Sequence, residues 1–294
     1  WEYLSDLHIR NSRTFSMTFH NNELVVGFAD IGTFSTTDDG ATWDDKNSGF
    51  DNVTISNITG LDDTIFVATN GAGVYKKHKA VDKWTIINNG LEDLHTSTIN
   101  NIQGVFYLGT KDSGLYMTDN SGLQWSRFST SIKNNPIQSI LVNNNNLLVG
   151  TRSKGILRSY QGKTWLSSNS GVTDTNITSL VNFNESYFAG TNSNGIFTSS
   201  DFGISWKECN TGLKNKNIRS LQILDKAIYA ATDTSGIFYS TDKGLHWTEF
   251  NNSFTDKSIS TFTIQDSRLF ITTYSGNIYS YSEVTQNWTD LSDN

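Results

Sequence analysis

The sequence predicts an all-β fold, a seven-bladed β-propeller with four antiparallel strands per blade and about 41 residues per repeat. Three observations predict it. All eight tryptophans, Trp1, Trp43, Trp84, Trp125, Trp165, Trp206, Trp247 and Trp288, follow one another at steps of 42, 41, 41, 40, 41, 41 and 41 residues. The same short segments recur in the same order within each interval. The composition, 23 Gly and one Pro with 12% aromatic residues and abundant Asn, Ser and Thr, favours short strands and polar turns over helices.

Each interval opens on an alternating run, such as Ile55-Ser-Asn-Ile58, Ile137-Gln-Ser-Ile140 or Ile218-Arg-Ser-Leu221, which reads as a first strand. A second strand ends in Gly-Thr or a close variant: Leu108-Gly-Thr110, Val149-Gly-Thr151, Ala189-Gly-Thr191. After a short polar loop comes a Gly-apolar-aromatic third strand, as in Gly73-Val-Tyr75 and Gly195-Ile-Phe197. A turn then leads into the tryptophan strand. One such sheet cannot cover both of its own faces, so neighbouring repeats must stack.

The repeat makes residues 1–294 a single propeller domain. Seven complete strand sets run from about Thr14 to Leu291, yet Trp1-Glu-Tyr-Leu-Ser-Asp6 closely matches Trp288-Thr-Asp-Leu-Ser-Asp293. One fourth strand, at residues 1–6, is therefore surplus. The two termini are expected to meet at the last blade, with one of them pairing there.

The turn before the tryptophan reads Thr36-x-Asp38-x-Gly40-x-Thr42-Trp43, and recurs as Ser199-x-Asp201-x-Gly203-x-Ser205-Trp206 and Ser240-x-Asp242-x-Gly244-x-His246-Trp247. The third repeat keeps Thr118-x-Asn120-x-Gly122 before Trp125, the fourth is one residue shorter from Ser159 to Trp165, and the second and seventh lack the Asp and Gly. These segments resemble the Asp-box, or bacterial neuraminidase repeat, of sialidases, some xyloglucanase-type hydrolases, sortilin-type receptors and a photosystem assembly factor. The resemblance implies that Asp38, Asp201 and Asp242 organise their own turns, with Gly40, Gly203 and Gly244 giving a permissive backbone and Trp43, Trp206 and Trp247 filling space between blades. It also implies that these turns lie opposite the usual ligand face.

A net charge of −7 speaks against a nucleic-acid binder, which needs clustered Lys and Arg. No stretch approaches the ~18 apolar residues of a membrane span. Membrane insertion is not expected. Cys209 has no partner for a disulfide, and the five histidines show no metal spacing, so no metal and no cofactor are expected. The Asn-rich, Cys-poor composition suggests a soluble, secreted bacterial protein, extracellular or periplasmic, with a monomer as the expected state.

The second-to-third-strand loops, which form the usual ligand face, carry Asp30, Asn70, Lys111, Asp112, Arg152, Lys154, Asn192, Asn194, Asp233 and Tyr274. Arg219 is the one charge in a first-strand column otherwise filled by Phe15, Ser56, Ser97, Gln138, Thr178 and Ser260. With Lys133, Lys214 and Lys216 in the blade-to-blade loops, the face reads as acidic over blades one to three and basic over blades three to six. Arg152, Lys154, Arg219, Lys111 and Tyr274 are the candidate ligand residues, because guanidinium forks match carboxylate geometry.

An enzyme of the sialidase kind would need an Arg-Ile-Pro-type segment and an ordered set of arginines. The sole Pro136 stands in Asn-Pro-Ile, and Arg10, Arg13, Arg127, Arg158 and Arg268 fall outside that order. A glycoside hydrolase would need two carboxyls roughly 5–10 Å apart, for which Asp30 with Asp51, or Glu92 with Asp93, are the candidates. The loops are short and uniform, which favours a non-enzymatic binding or scaffolding propeller for a glycan, peptide or protein partner. The alternatives are an Asp-box hydrolase and a purely structural domain of a larger surface protein.

Overall fold

The computed structural model describes residues 12–50, 53–81, 83–129, 131–251, 254–265, 268–282 and 285–292. Among them are seven four-stranded antiparallel sheets, each built from consecutive strands of one repeat. This is the seven-bladed propeller that the tryptophan spacing predicts. The first strands, Thr14–His20, Ile55–Leu61, Thr96–Ile102, Ile137–Asn143, Ile177–Phe183, Ile218–Leu224 and Ile259–Gln265, pack in a ring around the axis. The fourth strand of the last blade is the C-terminal Asn287–Asp290, paired with Ile278–Ser282. Residues 1–6, the surplus strand of the sequence, lie outside the described residues.

First and second strands meet in tight hairpins. In blade one Asn21 and Asn22 both take positive φ (51° and 62°), the backbone that a two-residue turn between right-twisted strands requires and that asparagine tolerates. The apolar core is then distributed into seams, each filled from two adjacent blades. Leu148 and Ile156 of blade four pack with Leu180, Tyr187, Phe197 and Trp206 of blade five. At the closing seam Phe270, Ile278 and Leu291 of blade seven pack with Met17, Phe19, Leu24 and Phe28 of blade one.

The Gly-Thr signature has its cause in these seams. A Cβ on Gly27, Gly109, Gly150 or Gly190 would stand 2.5 to 2.7 Å from Cγ2 of the isoleucine that opens the next blade's first strand, Ile55, Ile137, Ile177 or Ile218. Where the next blade opens with Thr14 or Thr96, the glycine position holds Thr272 or Ala68 instead. Blade six, with Ala231 before Ile259, fits the extra methyl.

Tryptophan indoles tie the seams. Six of the seven described tryptophans donate Nε1–H to the blade before: Trp84 to Lys46 O, Trp125 to Ile87 O (2.7 Å), Trp206 to Ser168 Oγ, Trp247 to Cys209 O (2.8 Å), Trp288 to Phe250 O, and Trp43 across the closing seam to Leu291 O (3.4 Å). Trp165 breaks the series. Its Nε1 has no partner among the described residues, in the blade whose turn is one residue short.

The turn before the tryptophan is organised by its carboxylate. Asp201 Oδ1 accepts from Ser199 Oγ–H (2.8 Å) and Ser205 N–H (2.9 Å), and Oδ2 accepts from Ser205 Oγ–H (2.6 Å). Asp38 and Asp242 make the equivalent sets with Thr36 and Thr42, and with Ser240 and His246. The Ser205 hydroxyl and amide hold Asp201 down to about 2, and the His246 amide and ring do the same for Asp242.

Two outcomes follow for denaturation experiments. Trp247→Ala, which empties a buried site and frees Cys209 O, is expected to cost about 3–5 kcal/mol, and Trp165→Ala, half-buried and unbonded, clearly less. For pH, both aspartates titrate lower in the folded chain than the ~3.9 of an unfolded one. Their contribution is thus present above about pH 4 and is lost as pH falls toward 2. The double variant D201N/D242N is expected to melt below the parent at pH 7, with the difference shrinking between pH 4 and 2.

Candidate ligand-binding site

Every first strand carries a β-bulge at its second residue. The register against the second strand skips Phe15, Ser56, Ser97, Gln138, Thr178, Arg219 and Ser260 in turn. A bulge re-aims the extra side chain, and here all seven line one mouth of the axial channel, a cavity of about 380 Å³. Sequence alone shows the column but not the bulge, because an extra residue is visible only against its pairing strand.

The loops around this mouth are held rigidly. The residue after each second strand donates its N–H to the residue before that blade's first strand, as in Lys111 to His95 O (3.0 Å), Arg152 to Pro136 O (2.9 Å) and Tyr274 to Ser258 O (2.9 Å). In five blades the threonine of the Gly-Thr signature donates Oγ1–H to the carbonyl four residues on: Thr69, Thr110, Thr151, Thr191 and Thr232. An asparagine four residues after the tryptophan adds a second clamp in five blades. Asn169, for example, accepts from Ile156 N–H (2.7 Å) and donates to Lys154 O (2.8 Å).

Of the sequence-predicted residues, Lys111, Arg219 and Tyr274 line the mouth together. Arg152 and Lys154 do not; both side chains are exposed on their loop, away from the mouth lining. Arg219 donates Nε–H to Asp233 Oδ1 (2.9 Å) and pairs with it through Nη2 as well, with both side chains about a quarter exposed. Its guanidinium stands 5.3 Å from the Tyr274 ring centroid.

Arg13 completes the group. It lies 5.1 Å from the same Tyr274 centroid and 4.8 Å from that of Phe15, and it lines the mouth. In the sequence it stands in a column (Arg13, Thr54, His95, Pro136, Asn176, Asn217, Ser258) that shows no pattern. Its partner Tyr274 becomes a neighbour only when blade seven closes on blade one. The cationic cluster therefore spans blades six, seven and one, with Lys111 across the mouth from blade three. Two lysines that made blades three to six read as basic are neutralised: Lys214 by Glu249 and Lys216 by Glu208 (2.8 Å). Lys214, with Asn251 and Lys257, holds Glu249 down to about 2.

The carboxyl pairs considered for hydrolysis are otherwise engaged or undescribed. Glu92 pairs with Arg127 (2.6 Å). Asp93 is buried and accepts from the amides of His95 (2.9 Å), Asp112 (2.9 Å) and Ser113 (3.2 Å). Burial pushes its carboxyl up, but those amides together with the Thr110 hydroxyl outweigh burial and hold it below the usual range. Asp51, the partner considered for Asp30, lies outside the described residues. Among the described residues no cluster of three His, Cys, Asp or Glu side chains suits a metal ion, and no helix is long and apolar enough to cross a membrane.

No protein-family model matches this sequence, and no curated protein does. Solved structures share the fold. YCF48 bound to D1 peptide is 13% identical with a TM-score of 0.71, the match covering 89% of each chain. PorZ, a surface component of the type-IX secretion system of Porphyromonas gingivalis, is 16% identical with a TM-score of 0.70 over 91% of this chain and 46% of that one. The extracellular domain of BT4673 from B. thetaiotaomicron is 19% identical with a TM-score of 0.73, over 92% of this chain and 38% of that one. The chain thus spans less than half of the last two, and identities this low show the propeller fold alone.

Asp93→Ala removes the acceptor for three loop amides. It is expected to destabilise the chain by about 1–3 kcal/mol and to speed hydrogen exchange at Asp112 and Ser113, while the equivalent amides of blade five keep their protection.

Proposed function

We propose that the chain is a non-enzymatic binding propeller that holds an anionic segment of a peptide or protein partner over the channel mouth. One observation carries this: among the described residues the mouth is lined by Arg13, Lys111 and Arg219 and by no Asp or Glu, in a chain whose net charge is −7. A carboxylate entering the mouth meets forked donors beside an aromatic ring, and the clamped loops lose little freedom when it binds. Asp233 shares Arg219 in the free chain, so an incoming anion must either add to that pair or displace it.

Several further points support the reading. YCF48, which has the same fold, is seen bound to a peptide. The turns at Asp38, Asp201 and Asp242 fit Asp-boxes in a structural role, their carboxylates being spent on backbone and hydroxyl donors of their own turns. An extracellular or periplasmic setting suits a module whose structural relatives include a bacterial surface component and an extracellular domain.

The test is binding to an array of acidic, neutral and basic peptides, with uronic-acid oligosaccharides alongside. Acidic peptides are expected to bind, with affinity falling as salt rises and dropping at least tenfold in the double variant R13Q/R219Q. Selective retention of neutral peptides, or unchanged binding in the double variant, would remove the mouth as the site. Selective retention of the oligosaccharides would replace the peptide by a glycan.

A further inference from the structure

We propose a second binding surface, for an acidic peptide segment of a partner protein, in the seam between blades four and five on the face opposite the mouth. The sequence drops one residue from the turn of blade four, Ser159 to Trp165, and lacks there the aspartate that shapes the turns of blades one, five and six. A compact hairpin forms instead, with Tyr160 opposite Thr164 and with Gln161 and Gly162 both at positive φ. The fourth strand here, Thr164–Ser167, pairs over four residues; those of blades one, two, five and six are two residues long.

The longer hairpin sets two cross-strand rows on one sheet face. One row is Asn146, Tyr160 and Thr164; the other is Leu148, Arg158 and Leu166. Phe202, from the turn of blade five, stands along the far side. A groove of about 320 Å³ lies between them.

The groove is apolar, open and positively charged. Tyr160, Leu166 and Phe202 are 59%, 50% and 61% exposed, and three such side chains on one groove are not the scattered apolar residues of an ordinary surface. Among the described residues the charged side chains lining it are Arg158 and Lys163. No carboxylate among the described residues pairs with either, and the Nε–H of Arg158 is buried without an acceptor. A buried guanidinium donor without a partner calls for an oxygen acceptor.

Charge complementarity then fixes the occupant. An acidic residue satisfies Arg158 and Lys163, and an apolar side chain next to it covers Leu166, Tyr160 and Phe202. The outer edge of Thr164–Ser167 has no strand beside it, so an extended segment also finds main-chain partners there.

The test titrates the full chain into two fluorescein-labelled, amidated pentapeptides, Glu-Phe-Glu-Leu-Glu and Lys-Phe-Lys-Leu-Lys, read by anisotropy. The acidic peptide is expected to saturate and the basic one not. R158Q/K163Q and Phe202→Ser, each built on R13Q/R219Q so that the channel mouth no longer takes the acidic peptide, are each expected to weaken it at least tenfold relative to R13Q/R219Q alone. Lys163 is exposed, so Lys163→Glu keeps the test open should Phe202→Ser fail to fold; it is expected to weaken the acidic peptide and admit the basic one. The proposal is overturned if the acidic peptide does not saturate R13Q/R219Q, or if R158Q/K163Q on that background binds it as R13Q/R219Q alone does. It is equally overturned if sedimentation shows a dimer that Phe202→Ser dissolves, for then a second copy covers the groove.

Discussion

The whole architecture depends on one constraint, that a four-stranded sheet with apolar side chains on both faces must be covered by its neighbours. Every blade but the fourth meets that need with an indole reaching back to the blade before it, and blades one, three, four and five add a glycine that lets the next blade's isoleucine come close. The ring is complete only when blade seven meets blade one, across a seam where Thr272 stands in the glycine position. Trp43 reaches Leu291, Phe19 stacks on Phe270 at 5.3 Å, Thr14 and Thr272 share a hydrogen bond of 2.5 Å, and Ser260 bonds to Thr14 O. Closure is made by side chains and not by exchange of a strand among the described residues.

Rigid seams have a functional counterpart at the mouth. The side chains that face the axis come from bulges in the first strands, the most enclosed part of each sheet, and the loops above them are pinned by threonine and asparagine clamps. Such a site is preorganised. Its variation is concentrated in a few columns of one residue per blade, which is how Arg219 enters a ring of otherwise uncharged residues without disturbing the frame around it.

Much of the fold was legible because its signals are local or strictly periodic. Tryptophan spacing gave the blade number, and period-two runs gave the strands. The Gly-Thr signature was visible too, but its reason was not, since Gly150 is required by Ile177 of the next blade. The clamp formed by Asn47, Asn88, Asn169, Asn210 and Asn251 stands in the sequence four residues after each of five tryptophans, but its loop partners become neighbours only in the folded sheet. The site was legible only in part. Lys111, Arg219 and Tyr274 stand out in columns that the fold brings to the mouth lining. Arg152 shares the column of Lys111 and Tyr274 without joining the mouth lining, and column position alone does not encode that difference. Arg13 depends on a neighbour 261 positions later in the chain, brought alongside by ring closure alone.

The seven bulges also bear on orientation. A frame with seven similar blades would let a partner sit over the axis in any of seven equivalent rotations, all of nearly equal energy. Arg219 marks one position in that ring, and Tyr274 and Arg13 mark the two blades that follow. On the binding reading proposed above, the mouth is keyed: a docked partner would be held at one angle about the axis, and whatever it carries would point toward one side of the disc. The groove at blades four and five would then stand at a fixed bearing from that partner, so the propeller can set direction between two bound chains as well as distance.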